Sequence, residues 1–463
     1  RVRSSAASDV YKRQSGYFSQ PGDANTLSMR NGLLQLSGPH GDITTFLANG
    51  GIASIQDANG NKVTAGYNAA GQLTSLTQSD GESIAISYNA AGLISSVTDS
   101  GGHSVTYAYD PTNSYLLSAT TDDGKTTNYT YKIPPTPTSL PIVPDPSANA
   151  LLSIRDGGMT RSFTYDAEGR LASTYLGNNL ETVTLGYDNA GTVSVSDGFG
   201  TTDLFYGQFG QLAKTQDALG NITSALYDSN GRLVSLVLPT GASQAFAWNN
   251  AGDLTSLTDE AGNKTTFQYG AAFNRLTGFT DAKGNATHYA YDANGNLLAT
   301  TYANNSVETY SGYTAAGLPT TYTDRRGQPI QYAYDAAGQV TSETFADGSK
   351  DTFAYHPRGN VITATQVPVT GPPQVTTYSY RYSTDGDRLD KVTYADGRFL
   401  QYTYDSFGRR IQMADQTGYA TNYEYDAAGR LYRLRDGSGN ILVTYTYLCP
   451  CPPQFRGNFT FSF

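Results

Sequence analysis

The chain has 463 residues, of which 38% are apolar and 12% aromatic, too rich a mixture for a disordered segment. Its net charge of −10 argues against partners that present phosphate, whether nucleic acid or an anionic membrane surface, and no run of about 18 apolar residues is present to span a bilayer. Gly 49 and Tyr 36, against Met 3 and Trp 1, point to a folded chain whose interior is built from tyrosine and glycine.

Residues 1–14 (RVRSSAASDVYKRQ) differ from everything after them and look like a translated sequencing-adapter remnant, so they are set aside from fold reasoning. The first residue is not Met and no secretion signal is visible, so a piece of a longer protein is expected. An irregular lead-in is expected over 15–45. From 46 to 448 an aromatic followed by a short polar turn recurs at Phe46, Tyr67, Tyr88, Tyr109, Tyr131, Tyr165, Tyr187, Tyr206, Tyr227, Trp248, Tyr269, Tyr291, Tyr313, Tyr334, Tyr355, Tyr382, Tyr404, Tyr425 and Tyr447. Most successive spacings are 21 or 22 residues, which makes nineteen units of a tandem array. The two long spacings hold proline-rich inserts at 132–146 and 366–374, read as loops. An irregular tail is expected over 449–463; its two cysteines, Cys449 and Cys451, are too few for a disulfide framework.

Each unit carries two turns. The first follows the anchor, as in YDAAGRL from Tyr425, YDANGNL from Tyr291 and YDSNGRL from Tyr227. The second falls about ten residues before the next anchor, as in DALGN from Asp217, DEAGN from Asp259 and DAKGN from Asp281. Asx side chains bond their own backbone and Gly accepts positive φ, so both are strong turn signals. The six to eight residues between turns are rich in Thr, Tyr, Val and Phe and predict strands. The residue two before the anchor is often aromatic too, as in Tyr289/Tyr291, Tyr402/Tyr404 and Tyr423/Tyr425. A spacing of two puts both rings on one face, so stacked hairpins would form an aromatic ladder. The fold class is all-β. Nineteen hairpins are roughly 38 strands, and at about 4.8 Å each a flat ribbon would be roughly 180 Å long, so accumulated twist should coil it into a spiral, a solenoid or a closed shell.

Candidate sites are few. His40, His103, His288 and His356 are scattered without metal-ligand spacing and read as surface or turn residues. Cys449 and Cys451 flank one proline at a ragged end, a weak pattern for a metal or redox pair. The D-x-x-G-N turns at Asp57, Asp217, Asp259 and Asp281 each supply one carboxylate and read as plain turns rather than calcium loops. Asn-x-Ser/Thr sites such as Asn128 and Asn285 carry no weight if the source is bacterial, and the strands contain Thr throughout. No phosphate loop or nucleophile elbow is present, and carboxylates repeated in every unit are unlike a singular catalytic pair. No catalytic residue, cofactor or metal is expected. The anchors Tyr67, Tyr88, Tyr109, Tyr165, Tyr187, Tyr227, Trp248, Tyr269, Tyr291, Tyr334, Tyr404 and Tyr425 are assigned to structure. Tyr289, Tyr291, Tyr402, Tyr404, Tyr423 and Tyr425 are the candidates for contact with a glycan or an enclosed cargo chain.

The Tyr-Asp-x-x-Gly-Arg-Leu core at Tyr165, Tyr227 and Tyr425, on a period of about 21, resembles the YD repeat of the Rhs proteins. It is similar to the repeats of bacterial Rhs polymorphic toxins, the shell components of insecticidal toxin complexes and the teneurins. The resemblance covers about 46 to 447 and implies a ribbon of hairpins spiralling into a hollow shell around a C-terminal toxin, in a secreted or cell-surface bacterial protein. Such shells usually carry a DP-x-G-type self-cleavage sequence. The only Asp-Pro pairs here, Asp110-Pro111 and Asp145-Pro146, lie in other contexts, so only the shell role carries over and any toxin is expected beyond Phe463. The alternative is a cell-surface or wall-associated repeat protein that binds glycans or neighbouring cells through its aromatic ladder.

Overall fold

A computed structural model describes residues 25–134, 145–382 and 387–447. The segments 1–14 and 449–463, with Cys449 and Cys451, and most of the 132–146 insert lie outside the described residues. The described residues hold 39 strands and no helix. Numbered in chain order, they run from β1 (Thr26–Arg30) to β39 (Ile441–Thr444), and each pairs antiparallel with its neighbours in sequence. The result is one unclosed, all-β meander.

The turns explain the regularity. In the second turn at Asp217, the Asp217 amide donates to the Asn221 carbonyl and the Gly220 amide to the Asp217 carbonyl, with Gly220 at φ +84°. This is a tight hairpin whose last residue needs the left-handed region, which Gly occupies without a Cβ clash. The Asp217 carboxylate accepts from the amides of Leu219 and Asn221 at 2.9 and 2.8 Å and from the Asn221 side chain at 2.8 Å. Anchor turns use the same geometry and add a bulge. Tyr291 of β25 (Ala286–Tyr291) faces Leu297 of β26 (Leu297–Thr301), while Ala290 faces Ala299, so Leu298 is extra. The same shift recurs at Tyr88, Tyr227, Trp248, Tyr334, Tyr404 and Tyr425. A bulge on the same side of most units adds twist in one sense, which coils the ribbon; the Tyr187 hairpin pairs in unbroken register.

The array begins earlier than the aromatic anchors suggest. The stretch 15–45, expected to be an irregular lead-in, holds β1, β2 (Leu33–Ser37) and the start of β3 (Ile43–Phe46), all paired. This first hairpin turns on Asn31 and Gly32, both at positive φ, and has no aromatic before the turn. The insert at 366–374 is partly strand: β32 (Val361–Val367) and β33 (Gln374–Arg381) extend the ladder to the pair Gln366↔Gln374, leaving only the tip as loop.

The wall is thin. Only Leu254, Val392, Tyr402 and Ala420 form buried hydrophobic core among the described residues. The accessible surface is 28336 Å², against about 17,000 Å² for a compact protein of this mass. Contacts between residues 233 to 284 apart, such as His40 with Phe273 and His103 with Asp387, show the ribbon returning over itself. One lap therefore takes about a dozen hairpins, as neighbour-by-neighbour stacking of a short repeat produces.

Candidate functional site

Each part of the Tyr-Asp-x-x-Gly-Arg-Leu core has a geometric task. The anchor side chain donates back to the carbonyl of the previous unit's Leu position: Tyr88 to Leu73, Tyr227 to Leu212, Tyr291 to Leu276 and Tyr404 to Leu389, at 2.7 to 2.9 Å. Tyr67, Tyr109, Tyr165, Tyr187, Tyr269, Tyr334 and Tyr425 do the same. Trp248 substitutes its indole Nε1, which donates to the Leu233 carbonyl at 2.7 Å. The turn Arg bonds the turn Asp, as Arg232 Nε does to Asp228 at 2.7 Å and Arg430 Nε to Asp426 at 2.9 Å. The same guanidinium lies over the next anchor ring: Arg170 over Tyr187 at 4.4 Å, Arg409 over Tyr425 and Arg430 over Tyr447 at 4.6 Å. At the long insert the linking hydroxyl is that of Tyr380, bonded to the Val361 carbonyl, and not that of Tyr382. Tyr382 instead stacks on His356, with ring centroids 3.9 Å apart.

The six candidate contact tyrosines share the aromatic face without presenting open rings. Tyr402 is buried, and Tyr289, Tyr291, Tyr404, Tyr423 and Tyr425 are half-buried. Arginines cover several of them: Arg410 lies 4.6 Å from the Tyr402 ring centre and 5.7 Å from that of Tyr423, and Arg275 lies 5.8 Å from Tyr291. Burial pushes the phenols of Tyr289, Tyr291, Tyr402 and Tyr425 above their ordinary value.

The second turns do not gather ligands for a cation. In Asp217, Asp259 and Asp281 both carboxylate oxygens are taken by their own loop, chiefly by Asn221, Asn263 and Asn285, and these bonds hold the carboxyls below the usual range. Among the described residues no group of three or more His, Cys, Asp or Glu is arranged to hold a metal.

The least repetitive chemistry lies along the seam between successive laps, where second turns of the first lap meet anchor turns of the second. His103 occupies the position that Asn fills at Asn221. Its Nδ1 bonds Asp99 at 2.8 Å, as the Asn amide would, and its Nε2 crosses the seam to Asp387 at 2.7 Å. Asp387 also receives Arg358 and the Asn360 amide, and Arg358 reaches Asp122 and, at 3.1 Å, the Gly102 carbonyl. With carboxylates on both ring nitrogens, His103 is pushed above its ordinary 6.5, chiefly by the Asp387 bond. Burial works to raise Asp387, but the bonds from His103 and Arg358 outweigh it and hold it low.

Farther along, Phe407 seats against Gly157 and Gly158, Phe273 against Gly41, and Arg430 lies 3.6 Å from Glu181. These residues were missed at the sequence level, and two of the four histidines, His40 and His103, prove to be seam residues. The available signal was departure from the repeat at turn tips, such as His103 for Asn or Phe407 for a small residue.

Seven segments match the RHS Repeat family: residues 88–126, 227–264, 248–278, 272–307, 313–350, 334–368 and 404–441. No curated protein matches the sequence. Among solved structures, the crystal structure of TcdB2-TccC3-TEV aligns over 93% of this chain and 28% of its own, at 16% identity and a TM-score of 0.57. That of TcdB2-TccC3 aligns over 89% and 30%, at 13% identity and 0.48. The Tc holotoxin pore of Photorhabdus luminescens aligns over 90% and 26%, at 15% identity and 0.42. The chain thus spans less than a third of the length of the structures it resembles.

Proposed function

Because this chain belongs to the Rhs/YD-repeat family, we propose that it is a non-catalytic wall segment of a shell enclosing a C-terminal toxin encoded downstream, in a secreted or cell-surface bacterial protein. Its partners on this reading are the enclosed toxin and further shell segments. The wall acts by exclusion: a one-sheet barrier keeps the cargo from the producing cell and from proteases until delivery. The observation that carries the reading is the seam. A coiled ribbon confines a cargo chain only if successive laps are sealed, and here aromatic knobs fill glycine notches while Arg358, His103 and Arg430 pair with carboxylates of the other lap.

The rival role, glycan or cell binding by the aromatic face, has less support. Sugar stacking needs open ring faces, and arginines lie over Tyr291, Tyr402, Tyr423 and Tyr425. The test is to read the source locus past codon 463 and express the chain with whatever follows. The shell reading expects an unrelated downstream domain that resists added protease while the wall is intact and is digested once the wall is melted. A downstream domain digested equally fast in both states would overturn it.

A further inference from the structure

We infer that Tyr310 and Tyr322 are a dityrosine site, where a one-electron oxidant fed by a peroxide joins two neighbouring strands covalently. The two residues face each other across β27 (Val307–Ser311) and β28 (Thr321–Thr323), in unbroken register between the pairs Thr309↔Thr323 and Ser311↔Thr321. Directly opposed residues on one face of an antiparallel pair hold their side chains against each other. Here the ring centres are 5.1 Å apart at an interplanar angle of 40°, so the ring edges meet.

Glu308 supplies the proton acceptor that the coupling needs. It lies two residues before Tyr310 and therefore on the same face of the strand. Its carboxylate accepts from the Tyr302 hydroxyl at 2.9 Å and from Arg325 Nε at 3.1 Å, and Arg325 also lies over the Tyr302 ring at 3.7 Å. An ionised carboxylate has about four lone-pair sites, so room remains for a further proton. Burial first, and the Glu308 charge after it, hold the phenols of Tyr310 and Tyr322 above their ordinary value. Both phenols are therefore protonated at neutral pH, and each must release a proton with its electron. In the coupling, each phenol loses one electron and one proton, the proton passing through Glu308 to water. The two radicals join through Cε, and the hydrogens leave the joined carbons as both phenol O–H bonds are restored. The two electrons and two protons released break the O–O bond of the peroxide.

Position gives the bond its effect. β28 is the shortest strand among the described residues, with three ladder pairs on either side, and the array to residue 448 contains no cysteine. A tyrosine pair is thus the covalent staple available at the ladder's shortest step. Tyr115 and Tyr131 are equally close, at 5.1 Å, but Tyr115 lies in the turn before β10 (Leu116–Thr121) and its hydroxyl bonds Asn149 instead of facing a carboxylate. The inference stands or falls separately from the shell role.

Photo-oxidation of the dilute 463-residue chain with ruthenium tris-bipyridyl and persulfate, itself a peroxide, tests it. Dityrosine fluorescence is expected on monomeric chains, with chymotryptic peptides of Tyr310 and Tyr322 joined at a mass two hydrogens below their sum. Tyr310→Phe or Tyr322→Phe keeps the ring and should abolish that product. Glu308→Gln should slow it on the order of tenfold at neutral pH, and leave it unchanged at high pH, where phenolates need no proton acceptor. The stapled chain should also keep amide protection in β27 and β28 at denaturant concentrations that release the unoxidised strands. Absence of the joined peptides would overturn the inference. So would a greater yield at Tyr115–Tyr131, or a Glu308→Gln chain that couples at the original rate at neutral pH.

Discussion

Individual hydroxyls and ring nitrogens do much of the holding in a wall this thin. Tyr88→Phe keeps the ring and removes one donor, leaving the Leu73 carbonyl without its side-chain bond. The expected cost is about 1 kcal/mol, read as faster amide exchange in β6 (Leu73–Gln78) and β7 (Ser83–Tyr88). At the seam, Gly158 sits at φ +83°, and a Cβ there would lie 2.7 Å from Cζ of Phe407. Gly158→Val should therefore lower the melting temperature, and adding Phe407→Ala should recover only the steric part, because the φ penalty remains.

His103 gives the seam a pH dependence. Its pKa is raised, so its contribution is complete below 6.5 and is lost as pH rises through the folded value. The Asp387 pKa is lowered, so its contribution is present above 3.8 and is lost as pH falls through the folded value. Exchange protection of the 99–103 turn should therefore be greatest between about pH 4 and 6.5 and decline on either side. His103→Asn, which keeps the turn bond to Asp99, should abolish the alkaline decline alone.

At the scale of elements, the hairpin is the unit both of the sequence and of the structure, and this is why the fold was legible. Asx-x-x-Gly turns and period-two aromatics are local signals, each readable within about ten residues. The bulge at most anchors was not read, because Leu298 looks like any other strand residue; only the pairing of Ala290 with Ala299 reveals it. The first hairpin was missed because Asn31-Gly32 turns without an aromatic before it. The seam was illegible for a different reason. His103 and Asp387 are 284 residues apart, and nothing local specifies which lap position faces which. That correspondence depends on the number of units per lap. Removing one whole unit, residues 228–248, joins Tyr227 to Asn249 and preserves the local grammar of both neighbours. The deletion should keep the β signature in circular dichroism yet displace every seam contact spanning it by one unit, so that the 99–103 and 356–360 turns lose exchange protection together.

For the molecule as a whole, stability is a sum over neighbours, since almost none of the described residues is fully enclosed and the surface far exceeds that of a compact globule. Unfolding should accordingly be gradual in denaturant, with a slope lower than chain length suggests, because little surface remains to be exposed. A single sharp transition with the slope of a compact 463-residue protein would contradict this. The spacing of the seam also sets a clock on assembly at the ribosome. Neighbouring hairpins can form as they emerge, but the 99–103 turn must wait for Asp387, 284 residues later, which at about 5–20 residues per second is on the order of 15 to 60 s. For that interval the first lap stands as an open coil. The second lap then closes onto it in chain order, like a zip drawn from one end, so a pause in translation anywhere in the second half would leave the remainder of the groove gaping.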